Sequence, residues 1–282
     1  MALASGLLFE RPMTTERALG WLARHHRRFQ LRSRRDIGGV KRLAELAYLA
    51  GAREDGGDWL RWAFAEVEEG QVIADLLDEA PALACAYLPF RRAGLRAKGL
   101  EHRLASASWR RAAPSWHWFV RLGVGETLDA VGIEPPWPPT WGRLPRDPAQ
   151  ATTVVAHAVI WRTDLGRVPE RLSAAERAQL ASSLQVMGEK LVEIGAFDAL
   201  GELLVAAACA DVTPPDGAWA ALAAAQRADG SFPFRRGLDA SFESSYHATL
   251  VAALAGSLAS ELPIARRRGR AQSAALQAIW VD

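Results

Sequence analysis

Gln226-Arg227-Ala228-Asp229-Gly230-Ser231-Phe232-Pro233-Phe234, followed shortly by Tyr246-His247-Ala248-Thr249-Leu250-Val251, decides how the chain is read. The first segment is a polar turn with aromatics after it, the kind that joins one pair of helices to the next. The second opens an apolar helix that carries a histidine inside it. Together they predict a ring of paired helices whose central hollow holds the polar groups.

The rest of the composition agrees. The chain has 282 residues, half of them hydrophobic and dominated by Ala and Leu. Unbranched side chains lose little rotamer freedom in a helix, so helix is favoured over strand. The length allows one large helical domain with an ample core. A formal net charge of +2 argues against a strong field for nucleic acid. Cys85 and Cys209 lie in Ala-rich apolar surroundings and read as buried free thiols. The chain shows no secretory leader and no apolar run of about 18 residues, which predicts a cytoplasmic protein without a membrane contact.

Periodicity and breakers predict about ten to twelve helices. The first spans 14–29, with Thr14 or Thr15 as its cap. Asp36 starts a second, and Asp55 to Asp58 forms a turn before a third. Helices over 72–78 and 80–88 break around Pro81, and Pro89 ends the latter. Short helices over 116–120 and 126–131 flank Gly123 and Gly125. Segment 134–148, with six prolines, Trp137 and Trp141, is a long loop between two helical halves of one domain, either packed or serving as a lid. Beyond it come helices over 151–163, 173–195, 199–210, 218–227 and 244–258. A last one is expected over 272–280. Ser173 and Glu176 have the spacing of a capping box.

Three groups carry candidate chemistry. His157 has Trp161 at i+4 and Asp164 at i+7, all on one helix face. Asp198 and Glu202 stand at i and i+4 in an apolar helix, where like charges repel unless a cation, donor or proton lies between them. Glu243 and His247 have the same spacing, with Tyr246 beside them, and a carboxylate can hold an imidazole in one tautomer. Each group also has an ordinary structural explanation: a satisfied core histidine, a helix N-cap, a carboxylate in a first turn.

The run from Arg24 to Arg35 is dense in arginine. Arg24, Arg27, Arg28, Arg32 and Arg35 would suit a phosphate or sulfate, aided by free amides if Asp36 starts a helix, or else form a solvated face. Eleven tryptophans are present. Trp116 and His117, with Trp161 and Tyr246, are the candidates to line an opening. No Walker or dinucleotide loop, paired-histidine zinc helix, cysteine pair, nucleophile elbow or Asp-rich motif is present, so no metal site and no ordinary terpene synthase are expected.

Thr153 to Gly166, Asp198 to Leu204 and Tyr246 to Val251, in that order, resemble an uncharacterised actinobacterial family. Its pattern runs through a Thr-His helix ending in Thr-Asp-Phe-Gly, then Asp-Leu-Leu-Gly-Glu-Leu, Gln-x-x-Asp-Gly-Ser and Tyr-His-Thr-Thr-Leu-Val. Asp36 to Ala50 is similar to its first helix. The resemblance covers most of residues 1–282 and implies a single all-α domain, an α/α toroid like the terpenoid cyclases and prenyltransferases without their catalytic motifs. It also implies a place in specialised metabolism. The chain further resembles a subunit of the aziridine-forming sulfotransferases, although no sulfotransferase phosphate loop is visible. Leu165 in place of Phe and the arginine-dense segment depart from the pattern.

These readings lead to three expectations. The first is a biosynthetic enzyme or subunit acting on a small molecule, with no evident cofactor. His157 and His247 would move protons, and Asp198 and Glu202 would bind or orient a cationic group. The second is sulfuryl or phosphoryl transfer from an anionic nucleotide donor gripped by the arginines. The third is a non-catalytic scaffold for a partner protein, its hollow plugged by Trp and Leu.

Overall fold

A computed structural model describes residues 14–106, 117–137 and 142–262, together with the helical backbone at 3–13 and 263–279. The helices are α1 (Leu3–Arg24), α2 (Ile37–Gly51), α3 (Gly57–Glu66), α4 (Gln71–Leu76), α5 (Leu88–Arg92), α6 (Lys98–Ala105), α7 (Trp118–Ala130), α8 (Pro148–Arg162), α9 (Ala174–Ile194), α10 (Phe197–Ala210), α11 (Ala218–Ala225) and α12 (Tyr246–Ile279). The described residues form no strand, so the chain is all-α.

Local chemistry sets most of the boundaries. Asp36 accepts a hydrogen bond from Gly39 N and starts α2. Asp147 caps α8, with Pro148 at the first helical position, where its missing N–H costs nothing. The expected capping box of Ser173 and Glu176 opens α9, and Gly195 closes it in the left-handed conformation.

Other boundaries differ from expectation. The backbone of α1 runs back to Leu3, so Thr14 and Thr15 lie within the helix and do not cap it; it ends at Arg24, and His26–Phe29 is a 3-10 turn. Pro81–Tyr87 is also 3-10, and Pro89 falls in the first turn of α5, which it opens and does not end. A single helix, α7, passes through Gly123 and Gly125. A methyl at Gly123 would stand 2.6 Å from Cys85 Sγ and 2.7 Å from Trp161, so the glycine is there for close approach and breaks nothing. Cys85 is half-buried and Cys209 buried, both free thiols. Trp141 lies outside the described residues.

Packing closes on itself. Helix α10 lies against α8 and α12; α12 against α2; α2 against the Pro81–Tyr87 segment; that segment against α7; and α7 against α8. Helices α1, α3, α9 and α11 pack outside this circuit, against α12, α2, α8 and α10 respectively or against one another. The circuit explains why α10 is buried on every side, with all its residues except Ala208 buried and only Asp198 and Glu202 charged. One hydrophobic cluster runs through both halves of the chain, joined where α12 meets α1 and α2 and where α7 meets α8.

Candidate functional site

The Gln226–Phe234 turn sets the start of two helices at once. Gly230 has a φ of 94°, and Asp229 Oδ1 accepts from both the amide and the hydroxyl of Ser231. From this turn, the Phe234 carbonyl accepts from Asp198 N at the start of α10, and the Phe232 amide donates to Thr249 Oγ1 in α12. Arg227 donates to Ser245 Oγ immediately before α12. The turn thereby brings Asp198 and His247 face to face.

His247 Nδ1 donates to Asp198 Oδ1 at 2.6 Å. Its other nitrogen, Nε2, faces Glu45 Oε1 of α2 at 3.6 Å and Glu202 Oε1 of α10 at 4.0 Å. Thr153 of α8 donates to Glu202 Oε2 at 2.5 Å, and the Thr153 carbonyl accepts from His157 Nδ1 at 2.9 Å. Phe119 of α7 and Trp161 meet the His157 ring edge-on. Four successive members of the closed circuit, α2, α12, α10 and α8, thus contribute to one polar centre. The side chains of Asp198, Glu202 and Glu45 keep at most 10% of their surface, whereas His247 keeps 16% and His157 23%.

Three carboxylates surround one imidazole in a poorly solvated place, and their charge sets its ionisation. Burial is the largest single influence on His247 and would lower its pKa. Glu45, Asp198 and Glu202 together outweigh it and hold the ring protonated, with a pKa raised to about 10. Burial raises the Glu202 carboxyl, against the pull of His247. His157 is lowered to about 4 by burial, against the hydrogen bond to Thr153, and is neutral at pH 7.

Four of the residues expected to carry chemistry therefore meet: His157, His247, Asp198 and Glu202. Others do not join them. Helix α8 ends at Arg162, and Asp164 adopts a φ of 49° beyond it, off the His157 face. It pairs with Arg92 at 3.2 Å and Arg167 at 3.3 Å. Helix α12 starts at Tyr246, so Glu243 is not a helical turn before His247. It is exposed and pairs with Arg28 and Arg32, and Asp198 takes the orienting role. Tyr246 and Trp161 flank the two histidines. His117 is exposed and caps α7; Trp116 lies outside the described residues.

The arginines do not converge. Arg24 donates to the Asp229 carbonyl, Arg28 and Arg32 face Glu243, and Arg27 and Arg35 are exposed. Of the amides of Ile37 to Gly39 expected to help bind an anion at the start of α2, two are already taken: Ile37 N donates to the Arg35 carbonyl, and Asp36 accepts from Gly39 N as well as from Arg32 N and Arg42.

Glu45 and Thr153 were missed as site residues. Glu45 had a legible signal, an acidic residue inside the apolar run Leu43-Ala44-Glu45-Leu46-Ala47. Thr153 had none, because its role exists only beside Glu202. The expectation of no metal site rested on local spacing; in space, donor atoms of Asp198, Glu202 and His247 come within 4.8 Å of one another. Three clefts are lined by Leu22, Phe29, Trp59 and Trp62; by Leu144, Val155 and Leu180; and by Arg121, Glu126 and Trp137. The polar centre lines none of these three, so it is not the wall of a large hollow there. No helix among the described residues is long and apolar enough to cross a membrane.

Residues 15–257 match the model of a family described as Domain of unknown function (DUF6895). No curated protein and no solved structure matches the chain.

Proposed function

Starting from a chain that belongs to the DUF6895 family, we propose an α/α toroid that serves as an enzyme, or enzyme subunit, of specialised metabolism. Its site is the centre shared by α2, α8, α10 and α12. The single observation that carries this reading is the convergence of His157, Asp198, Glu202 and His247 from three separate helices of a closed circuit. A fold has no structural need to bury three carboxylates around an imidazole, since isolated buried charges are costly. Such constellations are characteristic of sites that bind or move charge.

In this reading Asp198 fixes the His247 ring, and the exposed edges of His247 and His157 meet a small molecule. Glu202 and Glu45 attract a cationic group on it. Transfer of a sulfuryl or phosphoryl group finds less support, because Arg24, Arg28 and Arg32 are engaged with Asp229 and Glu243. A non-catalytic scaffold is the second reading. It is favoured by the buried Trp161, which packs so closely against Gly123 of α7 that a methyl there would stand 2.7 Å from it.

The test incubates the protein with a metabolite extract of its native cells and scores changed or retained compounds by mass spectrometry. His157→Ala and His247→Ala, checked for fold by circular dichroism, are expected to abolish the change. Compounds altered equally by both variants would overturn the assignment of these residues. A co-purifying protein, with no compound altered or retained, would select the scaffold.

A further inference from the structure

Glu202 Oε1 and both carboxylate oxygens of Glu45 are buried and accept no hydrogen bond. Their residues are only 3% and 8% exposed. Lys41 Nζ, itself largely exposed, stands 3.6 Å from Glu45 Oε1, and the nearest other cation is His247. Buried acceptors without a donor carry a full desolvation cost, so such atoms point to a bound partner. The partner must be positive, since three carboxylates share one imidazole. It must also be small, because the three carboxylate side chains keep at most 10% of their surface.

The geometry points to a divalent first-row transition-metal ion held by His247 Nε2 and Glu202, within the group of Asp198, Glu202 and His247 whose donor atoms lie within 4.8 Å of one another, with Glu45 facing the same nitrogen. Separations of 3.6 and 4.0 Å from Nε2 to the two carboxylate oxygens are too long for hydrogen bonds. They suit two donors of one ion, because ligand distances of about 2.0–2.2 Å place donors about 3–4.3 Å apart. The 2.6 Å bond from His247 Nδ1 to Asp198 is the carboxylate–histidine pairing that orients an imidazole toward a metal through its other nitrogen. The Glu202 carboxylate is oriented in the same way by Thr153. Imidazole as a donor favours an ion of the Mn²⁺-to-Zn²⁺ series over Mg²⁺ or Ca²⁺.

This inference goes beyond the proton-transfer reading, because an ion on Nε2 replaces the proton there. Binding therefore exchanges one cation for another: the ion enters and the Nε2 proton leaves to buffer.

The experiment uses full-length protein, stripped with a chelator and titrated calorimetrically with Zn²⁺ and with Mn²⁺ in buffers of different ionisation enthalpy. One equivalent is expected to bind with proton release. Co²⁺ in the same protein should show visible bands of a nitrogen–oxygen site. Glu202→Gln and Glu45→Gln should each weaken Zn²⁺ binding at least tenfold with the circular dichroism spectrum retained, and Glu243→Gln should leave it unchanged. The inference is overturned if none of the three ions binds saturably, or if Glu202→Gln and Glu45→Gln bind Zn²⁺ as tightly as the parent protein. If no ion binds while His247→Ala still abolishes the metabolite change, the metal fails and the proposed function stands.

Discussion

Glu202 shows how much one buried side chain depends on its neighbours. Its Oε2 accepts from Thr153 at 2.5 Å, while Oε1 accepts nothing. Thr153→Val keeps the shape and removes the hydroxyl, leaving the second oxygen stranded as well. Stranding a buried acceptor costs about 1–3 kcal/mol. Urea denaturation should show a loss of that size, and an unchanged midpoint would mean that water or a bound cation already satisfies this carboxylate. The residue scale was partly legible in the sequence. Asp198, Glu202, His157 and His247 stood out because each interrupts an apolar helix. Glu243 and Asp164 stood out for the same kind of spacing and went elsewhere, because i, i+4 proximity holds only where the helix is continuous. Helix α12 starts after Glu243, and α8 stops before Asp164.

Helix starts are the best-determined elements, since caps act over three or four residues. Asp36 is the clearest. Burial pushes its carboxyl up, but hydrogen bonds from Arg32 N and Gly39 N, with the charges of Arg42 and Arg32, more than offset this and hold it below the usual range. A depressed folded pKa means stability that is present above the unfolded value of about 3.8 and is lost as pH falls through the folded value. Asp36→Ala should therefore cost about 1 kcal/mol near pH 7. The gap between variant and parent should narrow as pH falls below about 3.8. Thermal denaturation across pH 2.5–7 measures it (a range set by the carboxylate reference value, about 3.8); a gap independent of pH would mean that the cap's charge is irrelevant. The misread boundaries have one cause. Pro89, Gly123 and Gly125 look like breakers along the chain, yet proline is tolerated in a first turn and glycine wherever another side chain must come close.

At the scale of the molecule, the packing of the central helices depends on how nearly α10 and α12 approach. A methyl at Gly201 would stand 2.7 Å from Val251 Cγ2, so the helices meet there with no room for a side chain. Gly201→Ala should improve helix propensity yet destabilise the protein by about 1–3 kcal/mol through overpacking. A rise in melting temperature would show that the two helices can separate without loss. The same approach sets the separation of Asp198 and His247, so this variant should also weaken whatever the centre binds.

Composition, caps and the interrupted apolar helices were enough to determine an all-α protein, most of its element order and four members of its polar centre. These are local properties, legible because helix periodicity and capping act within a few residues. Only the tertiary structure decided that Asp198 and not Glu243 holds His247, that Glu45 and Thr153 complete the group, and that the arginines turn to Asp229 and Glu243. Those outcomes depend on contacts between segments up to about two hundred residues apart, and no spacing along the chain encodes which buried charge will find which partner.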